Sequence, residues 1–123
     1  VYSVNDRLFG HAIVGLIWAS WHFPYVNELW SHTSEGLVTL LPRFILGALV
    51  TAVIYGEIRM RTGSVWPAVL MHGSGNGIED GVVSSIQLVT GVAPLTADYV
   101  QLAITICLAI ACAAMTPRQA VSS

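Results

Sequence analysis

Lysine is absent from this 123-residue sequence, and Lys, Arg, Asp and Glu together make up only 10% of it, where a soluble domain carries about 25%. Apolar residues take their place: 54% of the chain is hydrophobic and the mean hydropathy is +0.69. A water-soluble core of this length could not hold so many Leu, Val, Ala and Ile side chains without exposing large apolar patches, so the bilayer is the natural solvent. With five basic residues, all Arg, against seven acids, the net charge is −2. There is no basic field to grip nucleic acid, and that class of partner drops out. Only Cys107 and Cys112 could form a disulfide or a thiolate site. They lie in one apolar run with no Cys or His partner nearby, so they read as small apolar fillers. The opening Val1–Arg7 lacks the basic start, apolar run and cleavage site of a secretory signal. The missing initiator Met suggests a piece of a longer chain.

What the sequence does have is four apolar segments: Leu8–Pro24, Leu37–Gly56, a Gly-rich stretch beginning near Ser64, and Tyr99–Met115. Each approaches the ~20 residues that cross a ~30 Å hydrocarbon core. Arg7, Arg59, Arg61 and Arg118 fall on one side of such a four-span arrangement and most acids on the other, with Arg43 the exception. The positive-inside rule then puts both ends in the cytoplasm. The expected fold is an all-α polytopic transmembrane bundle of about four helices. It forms a single membrane domain over residues 1–123, with an expendable tail at 118–123.

Titratable side chains inside a membrane are costly and need a reason. Trp18 and His22 are four residues apart and share a helix face, which His11 and Gly15 continue. In the third segment His72 and Asn76 are also four apart, with Glu79 leaning toward them. Two imidazoles and a carboxamide on neighbouring helices can polarise a carbonyl, hold a water or bind a metal. The plainer reading is that each polar group hydrogen-bonds to a neighbouring helix and glues the bundle. His11 is expected at the headgroup boundary and His32 in a solvated loop. Gly73, Gly77 and Gly81 form a ridge that lets helices approach closely.

The segment GLIWASWHFP, followed about fifty residues later by RTGSVWPAVLMHGSGNGI, resembles the second and third motifs of the CAAX-processing and bacteriocin-processing (CPBP, or ABI) intramembrane proteases, the type II CAAX prenyl endopeptidases. The second motif, an aromatic residue and then His four positions on, is matched by Trp18 and His22. The third, His and then Asn four positions on, is matched by His72 and Asn76. The resemblance implies an intramembrane endopeptidase in which His22 and His72 orient or activate water, Asn76 donates to the oxyanion, and Trp18 lines the site. The family's first motif, a Glu-Glu pair followed by Arg that supplies the general base, is not found in this sequence. Its expected place is upstream of the span holding His22. Glu79 is the weaker substitute.

Zinc held by His22 and His72 is the less favoured option, because two imidazoles fall short of the usual three protein ligands. A metal-independent, glutamate-activated water is preferred, and no cofactor is expected. The implied substrate is a secreted peptide or a prenylated protein, and the implied location a multi-pass position in a bilayer, a bacterial plasma membrane being the favoured one. A rival reading is a non-catalytic scaffold or bacteriocin-immunity protein of the same fold. A third makes His11, His22 and His72 an ion relay, against which stands the scarcity of membrane carboxylates. From their own span starts, a rise of ~1.5 Å per residue puts His22 about 21 Å deep and His72 about 12 Å, so a shared site requires the fold to bring the two rings together.

Overall fold

The computed structural model describes residues 4–31, 36–75 and 94–115. These form helices α1 (Val4–Trp21), α2 (Phe23–Ser31), α3 (Leu37–Thr62), α4 (residues 66–75) and α5 (Pro94–Met115), with no strand among the described residues. The all-α expectation holds. Among the described residues, two helical segments are long and apolar enough to cross a membrane, Leu37–Thr62 and Asp98–Met115. At 1.5 Å per residue the first is about 39 Å long, more than the hydrocarbon core needs.

Several boundaries differ from the sequence reading, each for a local reason. The first span was expected to run unbroken from Leu8 to Pro24, but α1 starts at Val4 and stops at Trp21. Pro24 has no N–H to give the Ser20 carbonyl, and its ring crowds that carbonyl, so the helix breaks at His22 and restarts as α2. The joint keeps some helical bonds: the His22 N–H donates to the Trp18 and Ala19 carbonyls, and the Val26 N–H donates to the His22 carbonyl at 2.9 Å. The earlier start places Arg7 inside a helix instead of in a flanking loop. α3 likewise continues past Gly56 to Thr62, so Glu57 lies within the helix.

α3 ends at Gly63, whose φ of 65° is left-handed and whose N–H donates to the Arg59 carbonyl at 2.8 Å. Only glycine adopts that conformation without a Cβ penalty. Ser64 follows and caps the next helix, its Oγ accepting from the Trp66 N–H at 3.2 Å. The TGSVWP stretch is thus a reverse turn that folds α4 back along α3.

α3 is the centre of the described bundle. Arg7 meets Glu57 at one end of α1, and Gly15 faces Leu49 and Ala52 further along, so α1 runs antiparallel to α3. A Cβ on Gly15 would stand 3.0 Å from the Leu49 Cα and 3.1 Å from the Ala52 Cβ, the close approach that small residues permit in membranes. On the other flank, Arg43 pairs with Asp98 at 3.3 Å and the Arg61 Nη2 donates to the Cys112 carbonyl at 3.1 Å, so α5 runs parallel to α3. Ala19, Ala48, Ala52 and Ile54 are buried between helices, while Phe9, Ile17, Trp21, Leu70 and Ile110 face outward. Cys107 and Cys112 form no disulfide.

Candidate functional site

Trp18 organises the aromatic cluster. It projects from the last turn of α1, and the His22 ring, one turn on, packs edge-on against it with centroids 5.1 Å apart. The His72 ring reaches the same indole from α4 at 5.2 Å, again nearly perpendicular. Tyr55 of α3 closes the group, 6.4 Å from Trp18 and 6.2 Å from His72, and Phe44 flanks His22 at 6.2 Å. The fold therefore brings the two imidazoles against one ring despite their unequal distances from the span starts. The Gly63 turn makes this happen, because it returns α4 alongside α1 and α3.

His22 is held in a defined orientation. Its Nδ1–H donates to the Trp18 carbonyl at 2.8 Å. A carbonyl can only accept, so the proton of the neutral ring sits on Nδ1, and Nε2 carries the lone pair. The helix break supplies this contact, since the helix-ending geometry leaves the Trp18 carbonyl within reach of a side chain four residues later.

Asn76, the third residue that the sequence put in the site, lies outside the described residues, as do Glu79, Gly77, Gly81 and His32. Tyr55 and Phe44 were not anticipated. Aromatic side chains in an apolar span look like lipid-facing or core residues until the partner helix is known.

The structure also shows a buried charge cluster that the sequence reading missed. Glu57 is fully buried in α3. Its Oε1 accepts from the His11 Nε2–H at 3.1 Å and stands 3.5 Å from the Arg7 Nε. His11, expected at a headgroup boundary, instead turns inward onto Glu57, and its ring fills a notch above Gly56, where any Cβ would overlap it. Arg7, expected as a loop charge, has a side chain only 5% exposed. The one available signal was spacing: Arg7 extends the His11, Gly15, Trp18, His22 face by one more turn.

Among the described residues, no group of three or more His, Cys, Asp or Glu could hold a metal ion. One cavity of about 170 Å³ lies between α3 and α5, lined by Arg43, Thr51, Asp98, Gln101 and Thr105 among others. Another, of about 220 Å³ and apolar, lies between α1, α2 and α3; Phe44, which flanks His22, is one of its lining residues. Both are smaller than the roughly 300–1,000 Å³ of a typical ligand pocket.

Comparison with known proteins places these elements. No curated protein and no solved structure matches the chain. The sequence profile of the type II CAAX prenyl endopeptidase Rce1-like family matches residues 2–78, which take in Trp18, His22, His72 and Asn76. With more than half of its length matched, the chain belongs to the type II CAAX prenyl endopeptidase Rce1-like family.

Proposed function

We propose that this protein is an intramembrane endopeptidase that hydrolyses a peptide bond with a water held by His22 and His72. The observation that carries this reading is the meeting of His22 and His72 on the Trp18 indole, from two helices, at the positions that match two of the family's motifs. His22, with its proton on Nδ1, presents Nε2 as an acceptor for a water proton. His72, whose ring packs edge-on against the same indole, orients the same water. Asn76 donates to the oxygen that becomes negative as the carbonyl turns tetrahedral, a charge that preorganised donors stabilise most strongly in a water-poor site. A family glutamate acts as general base. The Glu-Glu and Arg pattern that supplies it in the family does not occur in these 123 residues.

The substrate is a peptide segment presented at the bilayer, either the C-terminal part of a prenylated protein or a secreted peptide, and the enzyme spans a bacterial plasma membrane several times. No metal is required, because His22 and His72 provide one imidazole fewer than a catalytic zinc usually has as protein ligands. The test is hydrolysis of a prenylated C-terminal peptide by the protein in liposomes. His72→Ala is expected to lower kcat by about 100-fold or more, the usual contribution of a positioned acid or base. A chelator is expected to leave the wild-type rate unchanged. Wild-type turnover by His72→Ala would overturn the catalytic reading.

A further inference from the structure

Glu57 is the one fully buried charged side chain among the described residues, and the proposed chemistry makes no use of it. Its cluster is poorly built for stability. The Arg7 Nε and Nη2 and the Glu57 Oε2 are buried with no hydrogen-bond partner, and an incompletely satisfied buried ion pair is commonly worth no more than well-packed apolar residues of the same volume. Between this cluster and the Trp18–Tyr55 contact, the α1–α3 seam includes the small residues Gly15, Ala19, Ala48 and Ala52. Such a surface lets helices approach but does little to fix how far one has slid along the other. The cluster can fix it. Sliding α1 by one residue moves it ~1.5 Å and turns the next side chain by about 100°, which would separate Arg7 and His11 from a carboxylate that has no other charged partner among the described residues.

We propose that Glu57, through Arg7 and His11, is a register lock for α1 on α3 and hence a positioning residue for the active site. His11 and Trp18 are seven residues apart on one face of α1. Glu57 and Tyr55 share α3, which ends about one and a half turns after Glu57 in the Gly63 turn that leads to His72. Fixing α1 at Glu57 therefore sets where Trp18 and His22 stand against Tyr55 and His72. A single buried polar contact that specifies register at some cost in stability is a known use of such groups. The catalytic part of this inference rests on the proposed hydrolase activity; the register part does not.

The experiment uses the full chain in liposomes with Cys107 and Cys112 replaced by Ala, and cysteines introduced as Ser20→Cys and Ile45→Cys. These two positions line the same cavity across α1 and α3. Disulfide yield with copper phenanthroline reads register, and peptide hydrolysis reads function. The cluster is replaced by apolar residues of similar volume: Arg7→Met, His11→Leu and Glu57→Met together. The expected result is a variant that inserts and resists heat at least as well as wild type, yet gives a much lower cross-link yield. Its kcat should fall by about 100-fold with KM little changed, as an ångström-scale misplacement would cause. Glu57→Gln, which can still accept from His11, should keep the cross-link. A triple variant with native cross-link yield overturns the lock. One that fails to accumulate in the membrane shows that the cluster serves folding, and overturns it too. If wild type does not cleave peptide, the proposed activity falls, and the cross-link still decides the register.

Discussion

At the scale of single residues, burial and partnering decide what each polar side chain can do. His22 has one nitrogen committed to the Trp18 carbonyl, which makes it a ring with a fixed tautomer and one open lone pair. Glu57 is in a harsher position, because among the described residues its buried carboxylate is held by the Arg7 and His11 groups alone. Removing one partner leaves an uncompensated charge. Arg7→Met alone should therefore destabilise the protein by about 3–5 kcal/mol, read as a large fall in the thermal midpoint in detergent. Arg43→Ala should cost no more than about 1 kcal/mol, because the Asp98 side chain it pairs with is 39% exposed. Comparing the two midpoints checks that burial, and not ion pairing as such, sets the cost. The His11, Gly15, Trp18, His22 face was legible in the sequence as a helical stripe. That Arg7 extends it, and that Arg7 and His11 answer to Glu57, was not, because the His11–Glu57 contact joins residues 46 positions apart.

At the scale of elements, the joints matter more than the spans. Pro24 breaks what would have been one helix and leaves His22 at the corner. Gly63 ends α3 in a left-handed conformation and sends α4 back toward Trp18. A β-branched residue at Gly63 would carry a Cβ into that conformation at a cost of at least about 1–2 kcal/mol, and relief of the strain would swing α4. Gly63→Val should therefore reduce activity by moving His72, with a smaller loss of overall stability than Arg7→Met. Activity assayed beside a thermal melt of the same preparation separates the two effects. Both joints were written in the sequence as HFP and TGS, yet a Leu8–Pro24 span read from hydropathy alone ran straight through the first. Hydropathy averages over a window and is blind to one missing N–H.

At the scale of the whole molecule, α3 carries α1 on one flank and α5 on the other, in opposite directions, with apolar side chains turned outward from each. Such a surface belongs in lipid, and the protein should stay with membranes through alkaline carbonate washing and come off only with detergent. Appearance in the carbonate supernatant would contradict the membrane assignment. Composition alone determined the solvent: 10% charged residues and a mean hydropathy of +0.69 leave no way to face water. Spacing alone determined which residues share a helix face, and so it singled out Trp18 with His22 and His72 with Asn76. Only the tertiary structure decided that His22 and His72 meet on Trp18, that Tyr55 joins them, and that Glu57 is buried against Arg7 and His11. The physical reason is that local sequence fixes rise and rotation within a helix. The slide of one helix along another is set by side chains far apart in the chain, and it becomes readable only when both helices are in place.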